Sequence, residues 1–370
     1  MNTFSFIGYL KPIKDTESRK SFTTKYYDSG WMSERLVFRV ICGDNSQLVE
    51  INAGRWKDEN KNVIYGMTKA ENDKKSEPFQ IPWSQRNDES MIEKMAGWKI
   101  FTVDLDTFNH RKELEESGDT EALAAANKKR HHFLAGTEFC EYANKVVNSE
   151  KIKSVKFRVS GNINYTYSEK NGRYYSAYEV NKICRVDEDK EPDSHVTIDF
   201  YYTEGAMDCE DYDETGKAIV SGYTQFYDNN TKKNWFCPMT LAMKLGTDDK
   251  GKKAIKGWKK MLDKFDEEPV RRVVFDCQQI NGAERTDITY DDLSDETKEF
   301  IDFGMISLED AIRDAGGKKF GNAVQEIRIS GFGRGFSKGS EPTEYTVEML
   351  TMKPFKEDST KDIFEDDDEL

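Results

Sequence analysis

No stretch of this chain reaches the ~18 consecutive apolar residues of a membrane-spanning helix, so the sequence predicts no membrane partner. Its first residues, Met1-Asn2-Thr3-Phe4-Ser5-Phe6-Ile7, show no basic stretch leading into an apolar run and a small-residue cleavage site, which predicts no secretory leader. The 6 cysteines, at positions 42, 140, 184, 209, 237 and 277, form no CxxC pair. That spacing predicts reduced thiols in a cytoplasm-like compartment and neither a disulfide framework nor a zinc site. Walker A loops and HExxH are absent. Histidine is scarce, with 4 in 370 residues, and His131-His132 reads as part of a solvated basic segment. Asp104-Leu105-Asp106 has the spacing of a metal-binding carboxylate pair, as in a nuclease. No partner acid is evident, and among 69 acidic residues such pairs arise by chance. The chain therefore reads as a non-enzyme without cofactor or metal.

What the chain does have is charge, unevenly placed. Against 69 acids stand 55 Lys and Arg, a net charge of −14. Residues 357–370 alone hold eight acids and one base, Lys361, so the remainder carries only about half of the excess. An anionic total usually argues against nucleic acid, but here a tail and a body have been summed. The aromatic content, 12%, supports a folded core. At roughly 100–200 residues per domain, the length suggests two or three units. The expected divisions are 1–135, 150–265, 268–352, and an acidic tail at 353–370.

Alternating runs predict strands at 3–10, 36–42, 48–51, 98–103, 155–161, 162–170, 173–184, 195–202, 218–223, 270–276, 324–330 and 343–350. Helices are expected at 133–147, 252–265 and as a pair within 294–314, with an exposed helix or linker at 110–130. In the second of these, Ile255, Trp258, Met261, Leu262 and Phe265 form one apolar stripe. Asn171-Gly172 predicts a two-residue turn pairing Lys170 with Arg173 and Tyr165 with Tyr178. A strand ending in glycine recurs at Phe6-Ile7-Gly8, 157–161 and 327–331, which hints at related small barrels.

Aromatic rings beside cations point to a surface for single strands, since base stacking is worth ~1–3 kcal/mol per base and tolerates any sequence. In the first block the candidates are Trp31, Arg35, Arg39, Arg55, Trp56 and Lys57, with Trp83 and Arg86 in the excursion that follows. Lys156 and Arg158 begin the second block. The hairpin tip adds Tyr167, Lys170, Arg173, Tyr174 and Tyr175. In the glycine-rich loop 331–339, Arg334 and Lys338 would meet phosphate and Phe336 a base. That loop lacks the following helix of a phosphate loop, because Pro342 and an alternating run come next.

The tail, Lys361-Asp362-Ile363-Phe364-Glu365-Asp366-Asp367-Asp368-Glu369-Leu370, has too little to bury and too much like charge to fold. It resembles the acidic C-terminal tip of single-stranded DNA-binding proteins from bacteria and their phages. The strand phrases around 3–10, 36–52 and 155–184 are similar to the OB-fold strands of that family. The body is far larger than the simple bacterial protein, which favours a phage-type chain. The resemblance implies a mainly β (α+β) fold with tandem OB-like barrels, helical insertions and a disordered acidic tail. It implies sequence-nonspecific binding of single-stranded DNA in phage replication or recombination, in the cytoplasm of the host cell. It further implies a tail (Ile363, Phe364, Asp366, Asp367, Asp368, Leu370) that recruits replication or recombination proteins. The competing reading is a non-enzymatic virion or assembly protein making protein–protein contacts.

Overall fold

Alternation of apolar and polar residues sets two-faced strands, and ten of them carry the architecture. The computed structural model describes residues 2–70, 75–265, 268–315, 318–337 and 339–354. The first five strands are β1 (Thr3–Pro12), β2 (Trp31–Cys42), β3 (Asn45–Trp56), β4 (Lys156–Ser168) and β5 (Arg173–Arg185). β1 pairs with β2, β2 with β3, β5 with β4 and β4 with β1, all antiparallel. β3 meets β5 in parallel at Glu50 and Glu179, and this closes the cycle β1-β2-β3-β5-β4.

The next five repeat the order. They are β6 (Asp193–Tyr202), β7 (Lys217–Asp228), β8 (Lys233–Lys244), β9 (Arg271–Asp287) and β10 (Lys318–Phe332). β6–β7, β7–β8, β9–β10 and β6–β9 are antiparallel. β8 meets β10 in parallel at Ala242 and Arg328. Each cycle also packs on its core a helix from the stretch between its third and fourth strands: α1 (Gly136–Val147), the last of several there, and α2 (Asp249–Leu262). α1 buries Phe139, Cys140, Ala143, Val146 and Val147, one helical stripe, against the first cycle. α2 starts at Asp248, whose side chain accepts from the Gly251 N–H (2.8 Å), and its predicted apolar stripe joins the same core. The whole is a large mixed, mostly β sheet.

The cycles are joined through their first strands. Residues 3–7 of β1 pair antiparallel with 193–197 of β6, Phe4 opposite Val196. Along that edge β1 changes neighbour at Tyr9, from β6 to β2, and β6 changes at Tyr201, from β1 to β7. Polar groups lock the joint: Asn2 donates to Thr224 Oγ1 (2.5 Å) and accepts from the Asp199 N–H (2.7 Å). Gln47 Nε2 reaches the Gln279 carbonyl (2.7 Å), and the Tyr178 hydroxyl donates to Gln279 Oε1 (2.6 Å). A single core cluster runs from Phe4 through Phe38 and Val159 to Phe200 and Phe275.

Several expectations are corrected. Ser168 pairs with Arg173 and Tyr167 with Tyr174, so the loop holds four residues, 169–172, and the register is two residues from the predicted one. A two-residue slip preserves which side chains share a face. Residues 343–350 form no strand; after the short strand Glu341–Pro342 the chain enters a helix, Val347–Thr351, capped by Thr346 and anchored by buried Leu350. β8 and the strand Phe22–Tyr26 were not anticipated. Pro238 lies inside β8, opposite Tyr223, with its ring exposed. The recurring strand–glycine phrase falls in β1, β4 and β10, which are not equivalent strands, so the repeat resides in the pairing order instead.

The same phrase separates two glycines by consequence. A Cβ on Gly161 would lie 1.9 Å from the Glu179 carbonyl oxygen, whereas one on Gly331 meets nothing within 4 Å. Gly161→Ala is expected to cost about 1–3 kcal/mol of stability and Gly331→Ala to be close to neutral, as read from urea denaturation midpoints.

Candidate functional site

Strand parity decides which candidate side chains can act together. In β2 the even positions Met32, Leu36, Phe38 and Val40 point into the core, and the odd positions point away. Cross-strand partners share a face. Trp31 lies opposite Trp56, Arg35 opposite Asn52, and Arg39 opposite Leu48, all outward. The strand Phe22–Tyr26 adds Lys25, opposite Ser33, to the same face. Trp31 and Trp56 pack edge to face at 5.2 Å, with the Trp31 ring lying over Gly54, where any Cβ would collide with it. Lys61 Nζ stands 6.0 Å from the Trp56 ring. Arg35 pairs with Glu50 through Nε (3.1 Å) and Nη2, with more than half of its side chain exposed. Arg39 Nη1 donates to Ser46 Oγ (3.0 Å). Among the predicted residues, Trp31, Arg35, Arg39 and Trp56 thus form one row, and Lys57 follows it, exposed.

The row opens into a cleft of about 1060 Å³ between the two cycles. Arg35, Glu50 and Asn52 line one side, and Lys217, Thr240 and Glu326 the other, with Tyr175 along the β4–β5 hairpin. Glu326 is partnered by Lys217 and Arg328. Burial raises its pKa, and those two hydrogen bonds outweigh burial and hold the carboxyl below its ordinary value. The cleft walls therefore carry cations and carboxylates in balance, with polar side chains such as Asn52, Asn164, Thr166 and Gln279 beside tyrosines and aliphatic side chains.

Other candidates lie elsewhere. Arg55 takes the opposite parity, on the side of Glu34, whose carboxyl burial pushes up and Arg55 draws down. Arg86 stacks on Trp83 (4.8 Å) and donates to Glu138 (2.8 Å), so both are spent on each other and on α1. Lys156 Nζ donates to the carbonyls of Glu188 (2.5 Å) and Lys190 (2.6 Å), while Arg158 is exposed. The hairpin tip does not stand free of the core: Tyr167 and Tyr174 pack together (4.9 Å), and Tyr174 meets Phe226 of β7. Burial pushes the Tyr174 hydroxyl up to about 12. Tyr175, Lys170 and Arg173 are exposed there. Phe336 is half-buried under the Arg272 guanidinium (5.3 Å), and Arg334 is exposed beside it. Lys338, Ile363, Phe364, Asp366, Asp367, Asp368 and Leu370 lie outside the described residues.

Sequence reasoning passed over Lys61, whose place beside the Trp56 ring emerges only in the fold. It also passed over the lysines of α2. Residues 248–264 contain seven lysines and three aspartates, a density visible in the sequence.

Asp104 and Asp106 are not a metal pair. Asp104 is gripped by Arg111 (Nη1, 2.9 Å) and Arg130 (2.8 Å), and Asp106 by Lys129 (3.1 Å) and His110 (2.9 Å). Among the described residues no group of three or more His, Cys, Asp or Glu is placed to hold a metal ion. Also among them, no helix is long and apolar enough to cross a membrane, and all six cysteines are free thiols.

No family model matches the chain, and no curated protein does. Among solved structures, the chain is similar to the wild-type single-stranded DNA binding protein from Thermus aquaticus, at 8% identity over 75% of this chain and 85% of that one, with a TM-score of 0.28. It is similar also to a deletion mutant of that protein, at 11% identity over 75% and 87%, with a TM-score of 0.29.

The Asp104 cluster yields a pH dependence. Burial opposes its charge, but the Arg111 and Arg130 hydrogen bonds prevail and hold the carboxyl below its ordinary value. A carboxyl held low in the folded state stabilises it above the unfolded value of ~3.9 and loses that contribution as pH falls through the folded value. Asp104→Asn leaves buried Arg111 without its counter-charge and is expected to cost about 3–5 kcal/mol at pH 7. Thermal melts between pH 7 and pH 3 are then expected to fall less steeply for the variant than for the unaltered protein.

Proposed function

We propose that this chain binds single-stranded DNA without sequence preference, through the outward face of the β2–β3 hairpin and the cleft it leads into. The observation that carries this reading is the single row on one sheet face in which the paired rings Trp31 and Trp56 stand at one end and the cations Arg35 and Arg39 follow, Arg35 exposed and the others half-buried. Rings offer a π-face to any base, and guanidinium groups neutralise phosphate and release counterions. We read the two closed cycles as tandem OB-like barrels; β4 and β5, which the expected division 150–265 assigned to the second unit, close the first, so the barrels span 3–185 and 193–332 rather than 1–135 and 150–265, and the strands of 268–352 complete the second. In barrels of this type the face of the second and third strands is a common oligonucleotide surface, and β2–β3 is that face in the first cycle.

The Arg35–Glu50 pair fits this use. An exposed pair of this kind is worth at most about 1 kcal/mol, so a phosphate can take the guanidinium at small cost. In the second cycle the corresponding face is partly covered: Tyr345 packs on Phe236 (5.0 Å) and Tyr201 (5.6 Å), and Leu350 is buried with them. The first cycle therefore supplies the stacking and the second the far wall of the cleft. Residues 357–370, with eight acids, complete the proposal: the acidic end competes with DNA for the cationic row and recruits replication or recombination proteins of a phage-infected cell.

Titration with poly(dT) tests the core of the reading. Binding is expected at 50 mM salt, falling steeply by 200 mM; no binding at low salt would reject it. Trp31→Ala is expected to weaken affinity about ten- to hundredfold. Arg39→Gln is expected to lower the salt slope by about 1. Removal of residues 357–370 is expected to tighten binding, and unchanged affinity would reject the competing role of the tail alone.

A further inference from the structure

The connection between β9 and β10 is a helical pair, Asp295–Asp302 and Leu308–Asp314, built on a small core of Ile288, Leu293 and Ala311. Its outside is unusually apolar: Phe303 is 77% exposed and Met305 69%, with Phe300, Ile306 and Leu308 beside them. Residues 288–314 hold nine acids and two bases, and both bases, Lys298 and Arg313, already sit in ion pairs within the pair. Such a surface repels phosphate, so nucleic acid is a poor occupant. It suits a cationic surface with an apolar centre.

The same molecule carries that complement. On α2, Lys252, Lys253, Lys256, Lys259 and Lys260 are exposed. Beside them Trp258, stacked on Phe332 at 4.7 Å, and Met261 line a shallow depression of about 310 Å³. The two surfaces cannot meet within one molecule. α2 touches the β9–β10 ribbon where Phe275 pairs with Phe332, and the helical pair caps its other end, beyond Asp287 and Lys318. Twelve residues of strand separate these levels, about 40 Å at ~3.3 Å per residue.

We propose that a second copy of this chain is the occupant: the acidic, apolar helical pair of one molecule docks on the lysine face of α2 in the next. The contact is heterologous, so each molecule keeps one free surface of each kind and assembly continues head to tail. Apolar side chains supply the buried centre and the opposed charges the orientation and the salt sensitivity. This inference stands independently of DNA binding, because neither surface belongs to the Trp31 row.

Sedimentation of the DNA-free full chain tests it. At low salt the average mass is expected to rise with concentration above the monomer and to return to it at high salt. Lys252→Glu/Lys256→Glu/Lys259→Glu is expected to weaken self-association at least tenfold, and so is Phe303→Ser/Met305→Ser. A mixture of the two variants is expected to stop at a one-to-one dimer, since each retains the surface the other lacks. Circular dichroism and melting of each variant check its fold, and the mixed dimer cannot form from unfolded protein. A chain that stays monomeric at low salt, or a mixture that forms no dimer, overturns the proposal. Lysine variants that lose poly(dT) affinity while wild-type self-association is absent would assign the α2 face to DNA instead.

Discussion

The antiparallel pairing of β1 with β6 is the constraint on which the other features rest. These two strands are the first of their cycles, and each serves three neighbours, so a single ladder fixes the position of one cycle relative to the other. With that ladder in place, the β4–β5 hairpin falls across β7, where Tyr174 meets Phe226, and the turn end of β2–β3 reaches β9 through Gln47 and Asn281. The cleft is what remains between the outer faces thus brought together. Buried polar groups at the joint are partnered, as Asn2, Thr224 and Asp199 are by one another, which low local dielectric makes costly to leave undone.

Charge is handled by segregation. The proposed binding of a polyanion and a net charge of −14 are compatible because the charges are sorted unevenly along the chain. Guanidinium and tryptophan side chains take the odd positions of β2, lysines take the outside of α2, and carboxylates concentrate on the 288–314 pair and the C-terminal end. Three carboxylates that enter the folded body are met by cations: Asp104 by Arg111 and Arg130, Glu326 by Lys217 and Arg328, Asp199 by Arg272. The cleft walls are balanced for the same reason. In the proposed function, attraction for an anionic polymer comes from the rim of the cleft, and its interior offers hydrogen bonds.

Much of this was legible locally. Alternation located most strands, including both arms of the 162–181 hairpin even though its loop proved two residues longer, and the Ile255–Trp258–Met261–Leu262 stripe located α2. Local cues failed where tertiary packing outvoted them. Pro238 sits inside a strand at a position opposite Tyr223, and Leu350 is drawn into a helix by the pocket formed with Tyr201, Phe236 and Val270. The candidate site was legible as composition, in Trp31, Arg35, Arg39 and Trp56, but not as a surface. Nothing in the local pattern separates Arg39, which faces out, from Arg55, which faces the α1 side, until the β2–β3 register is known. Nor could it show that Tyr167 and Tyr174 face the second cycle.

The central claim is that bases stack on the Trp31–Trp56 face. Ultraviolet cross-linking of the full chain to oligo(dT), followed by peptide mapping, tests it most directly. Cross-links at Trp31 or Trp56 are the predicted result. Cross-links that map only to other segments, with both tryptophans unmodified, would contradict it.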